Sequence, residues 1–333
     1  MDQRSGDYVL GLDGGGTSTT AWLAECDSAL VLGRGESGPS NPKSVGHASA
    51  RLTLEEARKL AFADAGIKIQ PVSAVCLGLA GVDREEDKAE VESWIASWSP
   101  ATQIVNDTEL VIAAANPKGW GIALIAGTGS NCVGKAENGS TLRAGGWGPL
   151  IGDEGSAYGI AIEAMRRVVH WDDGRTIEPI GAAVLRAELN ACLGTDCSEG
   201  WVSLLYEGAY DRARIASLAQ AVQRAAEFGS AAALDILNSG ASELAAAVLA
   251  VYRRLPWKPS QDSAIEPVPL GLAGGFVLNS EVYRTAILEN LRHAGANVVP
   301  VLVPDPVTGA LQLARIAAKR SNARSAATST HTP

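Results

Sequence analysis

The apolar positions of this chain fall into two similar cycles. Residues 7–12 (DYVLGL) end at Asp13, a glycine turn follows (GGGTST), and two further apolar runs come next, TTAWLAE and ALVLGRG. Short apolar runs punctuated by glycine predict strand, turn, strand, turn, strand. Residues 53–65 (TLEEARKLAFADA) set Leu54, Ala57, Leu60 and Ala61 on one face, the spacing of an amphipathic helix. The unbroken apolar run at 73–81 (SAVCLGLAG) fits a strand covered on both faces. REEDKAEVESWIASW reads as a helix with a charged outer face. QIVND (103–107) is then a strand and TELVIAAAN a helix, which sets Asp107 at the carboxyl end of a strand as the chain enters a helix.

The pattern then starts again. GIALIAGTGSNCVGKAENGSTLRAGG repeats apolar strand, glycine–threonine turn, strand, turn, strand, and GTGS at 127–130 occupies the place of GGGT at 14–17. The repetition predicts two similar halves. After residue 159 the chain is helical to about residue 254, in alanine-rich runs broken at Gly229. WKPSQDS (257–263) reads as a loop, and VPLGLAGGFVLNS (268–280) as strand, Gly274–Gly275 turn and helix. NVVPVLVPD is a last strand, and Asp305 and Pro306 cap and open a last helix. Residues 321–333 carry no apolar pattern and are expected to be disordered.

The 333 residues suffice for two domains, and 46% apolar residues suffice for sizeable cores. A net charge of −9 without a lysine–arginine cluster speaks against a nucleic-acid binder. An anionic ligand would then be held by local backbone dipoles. Cys26, Cys76 and Cys132 sit in apolar surroundings and read as buried thiols; Cys192 and Cys197 could bridge a loop, but nothing else suggests an oxidising compartment. The N-terminus MDQRSGDYVL lacks a signal region, and no apolar run reaches the length of a membrane span. The expectation is a cytoplasmic protein with reduced thiols and no membrane partner.

Chemistry concentrates in four places. The turn after Asp13 joins an acidic group to a nest of backbone N–H groups, which suits phosphate oxygens; a plain hairpin would need fewer glycines. It lacks a trailing GK[ST] and no helix follows it, against a Walker loop or a dinucleotide fold. Asn41, in the loop GPSNPKSVG, is held extended by Pro42, and its amide serves either a ligand hydroxyl or the turn itself. Asp107 stands at the sheet edge where α/β proteins bind ligands, but Asn106, Asp107 and Thr108 are all good helix caps. Residues 145–159 (GGWGPLIGDEGSAYG) hold six glycines in fifteen positions, more than a connection needs. There Trp147 offers a flat face to a sugar ring, and Asp153 and Glu154 read as acceptors at the start of the helix SAYGIAIEAMRRVV.

The strings DGGGT, NDxxxxxAA, AGTGSNC, GGWGxxxGDEGSAYG and AGGF occur in this order. In them the chain resembles the N-acetylglucosamine kinase branch of the actin-like sugar-kinase superfamily, of the BadF/BadG/BcrA/BcrD type, from about residue 8 to residue 320. The resemblance implies an α/β fold of two ribonuclease-H-like domains with an interdomain cleft. One would span 1–118 with a returning C-terminal helix at 306–320, and the other 119–305 with a helical insertion. It implies ATP and Mg²⁺, an amino sugar as acceptor of the phosphoryl group, and a homodimer. By motif, Gly15, Gly16 and Thr17 match the first phosphate turn, and Gly127, Thr128, Gly129 and Ser130 the second. Gly229, Gly274, Gly275 and Asn279 match the nucleoside side. Asn41, Gly146, Trp147, Gly148 and Asp153 match sugar-binding positions, Asp107 matches the catalytic carboxylate and contacts the sugar, and Asp13 would reach Mg²⁺ through water.

Three other readings compete. A kinase for glucosamine or another hexosamine differs only in the acceptor. An ATPase activator of a dehydratase or reductase would carry an iron–sulfur cluster on cysteines of a glycine-rich segment, and no such cysteine pair occurs. A sugar-sensing regulator would add a DNA-binding domain, for which the residues before Thr17 leave no room.

Overall fold

The computed structural model describes residues 8–329 apart from 29, 83, 208–209 and 258–265. The loop read at 257–263 and the last four residues therefore fall largely outside the described residues. The chain divides into two compact units, one of residues 1–119 and 305–333, the other of residues 120–304.

The first unit is built on β1 (Tyr8–Gly14), β2 (Thr19–Glu25), β3 (Val31–Ser37), β4 (Ala74–Leu79) and β5 (Thr102–Val105), in the order β3-β2-β1-β4-β5. β1 runs antiparallel to β2 and parallel to β4, and β4 runs parallel to β5. Successive β1 side chains serve opposite faces, as a strand requires. Tyr8, Leu10 and Leu12 join Leu54, Phe62, Val91 and Ile95, from the helices His47–Asp64 and Glu85–Ile95. Val9 joins Leu110 of the helix Asp107–Ala115, and Ala310, Leu311 and Ala314 of the helix Val307–Ser329. Gly11 faces that last helix so closely that a Cβ would lie 2.7 Å from the Leu311 nitrogen.

That helix corrects the expected disordered tail, because residues 321–329 continue it to Ser329. Extension adds residues to a helix already nucleated, which costs far less than starting one.

The second unit repeats the plan with β6 (Gly121–Ala126), β7 (Ser130–Lys135), β8 (Thr141–Gly145), β9 (Val268–Ala273) and β10 (Val298–Leu302), in the order β10-β9-β6-β7-β8. β6 runs antiparallel to β7 and parallel to β9, so it stands where β1 stands in the first sheet. The units are thus α/β and ribonuclease-H-like, with the same strand order twice. The helices between β8 and β9 cover the second sheet. Among them Ala231–Arg254 is long and apolar enough to cross a membrane, contrary to the expectation that no run would reach that length. Alanine spacing hid it; Ala233, Ile236, Leu244 and Val248 bury its apolar face in the core.

Candidate active site

In the first unit the carboxyl edge of the parallel strands gathers Asp13, the glycine turn, Asn41 and Asp107. β5 stops at Val105, two residues sooner than its apolar pattern suggests, because Asn106 caps the next helix. The Asn106 side chain accepts from the Thr108 N–H at 3.0 Å and its hydroxyl at 2.7 Å. Asp107 is therefore not the cap. It is the first helical residue, half-buried, with Oδ1 accepting from the Thr108 N–H at 2.9 Å. Asp13 is half-buried at the end of β1. Burial first, and the Asp107 carboxylate second, push its pKa up to about 7.

The first turn closes on itself through the Gly15 N–H, which donates to the Ser18 carbonyl at 2.9 Å. The N–H groups of Gly16 and Thr17 have no partner among the described residues, and both residues are exposed. The Gly15 carbonyl accepts from the N–H groups of Ser40 and Asn41 at 3.0 and 3.1 Å, so the loop carrying Asn41 is docked on the turn. Asn41 Oδ1 accepts from the Lys43 N–H at 3.0 Å, capping the short helix Pro42–Val45. The amide's acceptor thus does turn chemistry, and its Nδ2 donor stays without a partner among the described residues.

In the second unit the GTGS turn is built the same way. The Gly127 N–H donates to the Gly129 carbonyl at 2.9 Å, and the N–H groups of Thr128 and Gly129 have no partner among the described residues. Behind the turn lies the helix Ala157–Asp172, whose first N–H groups would otherwise be orphaned. Ala157 donates to the Gly127 carbonyl at 2.9 Å and Tyr158 to the Thr128 carbonyl at 3.3 Å. Gly274 and Gly275 abut the same turn: at Gly127 a Cβ would lie 3.6 Å from Gly274 Cα and 3.7 Å from the Gly275 nitrogen. Asn279 ends the short helix that Gly275 begins, and is exposed. Gly229 lies between the helices Ala219–Glu227 and Ala231–Arg254, with open space where a Cβ would be.

The stretch after β8 carries a correction. Asp153 and Glu154 do not cap the helix; Ser156 does, its Oγ accepting from the Gly159 N–H at 3.0 Å. Asp153 instead has φ 62°, the only positive φ outside glycine among the described residues. Its carboxylate turns back to the GTGS turn, where Oδ1 accepts from the Ser130 N–H at 3.2 Å and Oδ2 pairs with Arg212. Ser130 also donates through its hydroxyl to the Glu154 carbonyl at 2.9 Å. Trp147, 63% exposed, lies between the left-handed Gly146 and Gly148, with the Arg143 guanidinium 5.0 Å from its ring centre. Beside it is a cavity of about 220 Å³ lined by Ser130, Asn131, Trp147 and Glu154. A larger one of about 470 Å³, lined by Leu150, Tyr158, Arg166 and Ser239, holds none of the turn residues.

Sequence reasoning missed Arg212 and Asn131. Arg212 lies 59 positions from Asp153, and nothing local marks the pair. Asn131 Oδ1 is buried without a hydrogen-bond partner, against Gly146. Among the described residues no group of three histidine, cysteine or acidic side chains forms a ready metal site. Cys192 and Cys197 are exposed thiols and do not bridge.

A model of the BadF/BadG/BcrA/BcrD ATPase family matches residues 10–314. The N-acetylmuramic acid/N-acetylglucosamine kinase of Clostridium acetobutylicum is 34% identical over 274 residues, 82% of this chain and 86% of its own length. The N-acetyl-D-glucosamine kinase of Dictyostelium discoideum is 36% identical over 180 residues, 51% of this chain and 56% of its own length. Among solved structures, one from Chromobacterium violaceum, provisionally named an N-acetylglucosamine kinase, superposes with a TM-score of 0.73 at 28% identity, covering 92% of this chain and 98% of that one.

Proposed function

Because the chain belongs to the BadF/BadG/BcrA/BcrD ATPase family, we propose that it transfers the terminal phosphoryl group of ATP to the 6-hydroxyl of an amino sugar, N-acetyl-D-glucosamine foremost. One observation carries the reading. Each unit has a glycine turn that uses its first N–H internally and leaves the next two unbonded, at Gly16 and Thr17 and again at Thr128 and Gly129. Unbonded N–H groups on a tight turn are a nest for phosphate oxygens. In the first unit the nest adjoins Asn41 and shares its sheet edge with Asp107.

In this reading the turn amides and the hydroxyls of Thr17 and Thr128 hold the β- and γ-phosphates. Gly229, Gly274, Gly275 and Asn279 serve the nucleoside. Trp147 stacks on the sugar, and Asn41, Gly146, Gly148 and Asp153 position its hydroxyls. Asp107 accepts the proton of the 6-hydroxyl as that oxygen attacks phosphorus in line, so positioning and charge do most of the work. Mg²⁺ would be held near Asp13 through water and offset phosphate charge. An ATP-fed reaction and unbridged cysteines suit the cytoplasm, and a homodimer is the expected assembly.

The acceptor is tested by ATP turnover with glucosamine, N-acetylglucosamine, N-acetylmannosamine, N-acetylmuramic acid and glucose. N-acetylglucosamine should give the highest kcat/KM. N-acetylmuramic acid is the second candidate, because the Clostridium relative is named for both sugars. ADP release that no sugar stimulates would overturn the kinase reading.

A further inference from the structure

Arg212 has no place in the site as the sequence presents it. It opens the helix Arg212–Ser217 after the cap Asp211, and its guanidinium crosses to the GTGS turn. There Nη2 pairs with Asp153, whose other carboxylate oxygen takes the Ser130 N–H. The Asp153 side chain is 5% exposed, whereas that of Arg212 is 43% exposed. The pair lies against the turn itself: a Cβ at Gly129 would meet Arg212 Nη2 and lie 3.0 Å from Asp153 Oδ1.

A guanidinium carries five N–H donors in a rigid fork. Here one nitrogen is bound to Asp153, and Nε and Nη1 have no partner among the described residues. If neutralising a buried carboxylate were its whole role, the fork would be enclosed with its partner. Instead Asp153 is buried and fixes the arm that lies against Gly129 of the turn, while the Arg212 side chain as a whole stays 43% exposed. Cation, amides and exposure converge on one place, and the group that satisfies all of them is a phosphate, which Arg binds in two-pronged fashion.

We propose that Arg212 binds the terminal phosphates of the nucleotide held on the GTGS turn, with Asp153 as the residue that aims it. The inference rests on the kinase reading above and adds to it the cation of the second phosphate turn. Asp153 then joins the phosphate turn to the sugar-binding stretch 146–153 through one side chain.

Calorimetric titration with Mg²⁺·ADP and with AMP tests the assignment on the wild type and on R212M, R212K and R212M/D153N. R212M should weaken ADP binding about ten- to a hundredfold, as expected for a lost hydrogen bond to a charged group, and AMP binding less than threefold. R212K, which keeps the charge and loses the fork, should fall between. R212M/D153N removes cation and buried anion together, so it should melt close to the wild type while binding ADP as weakly as R212M; that combination separates ligand binding from a structural role. Should R212M melt too early to titrate, R212K and the double variant decide. Variants that bind ADP within twofold of the wild type, or that lose AMP as strongly as ADP, would overturn the proposal. A wild type that binds no ADP would instead overturn the kinase reading beneath it.

Discussion

Asp13 and Asp107 make the sharpest demand at the scale of single residues. Asp13 has its pKa raised to about 7, by burial and then by Asp107. An unfolded aspartate ionises near 3.9, so between about pH 4 and pH 7 the folded chain keeps a proton that the unfolded chain has lost. Stability from this group is therefore highest below that window and falls as pH rises through it, by up to about 4 kcal/mol. Urea unfolding of the metal-free protein at pH 5 and pH 8 measures the fall, and Asp13→Asn should flatten it. Equal slopes in the two proteins would mean that Asp13 ionises normally. Asp107 is tested through turnover: Asp107→Asn should lower kcat about 10²- to 10⁴-fold, the usual contribution of a general base. Asn106 remains to cap the helix in that variant, so its melting point should stay close to the wild type. Near-normal kcat would remove Asp107 from the proton-accepting role.

At the scale of elements, the hydroxyl of Ser156 does two jobs in a fully buried position. It accepts from the Gly159 N–H and donates to the Asp153 carbonyl at 2.6 Å. Ser156→Ala should cost about 1–2 kcal/mol of stability, measured by urea unfolding, since a cap bond is lost. It should also weaken ATP binding, because Asp153 is tied to the GTGS turn through Ser130. The element also shows what a sequence reveals. The strands were legible because continuous apolar runs and glycine turns are local signals, and so was the place of Asp107 after β5. The cap was misassigned because Asp153, Glu154 and Ser156 all have capping chemistry. The choice among them depends on the left-handed backbone of Asp153 and its pairing with Arg212, which no local pattern encodes. The docking of Asn41 on Gly15 was hidden for the same reason, since main-chain bonds between distant loops leave no mark on residue type.

At the scale of the molecule, the strand order of the first sheet recurs in the second, and so does the turn between the first two strands of each. Gly15 and Gly127 close those turns, and the two N–H groups that follow are unbonded in both. A repeat could survive for folding alone, but a fold needs closed turns and has no use for open donors. The kinase reading gives such donors a ligand, and this has a thermodynamic consequence. A non-hydrolysable Mg²⁺·ATP analogue at a hundredfold its Kd should stabilise the protein by about 2.7 kcal/mol. If both turns hold that ligand, Thr17→Val and Thr128→Val should each reduce the shift at fixed ligand concentration, although they lie in different units. Scanning calorimetry at matched ligand concentrations separates the cases, since a variant that loses only affinity keeps its ligand-free transition. A Thr17→Val protein with the full shift would confine the nucleotide to the second turn and leave the first unit with the sugar alone.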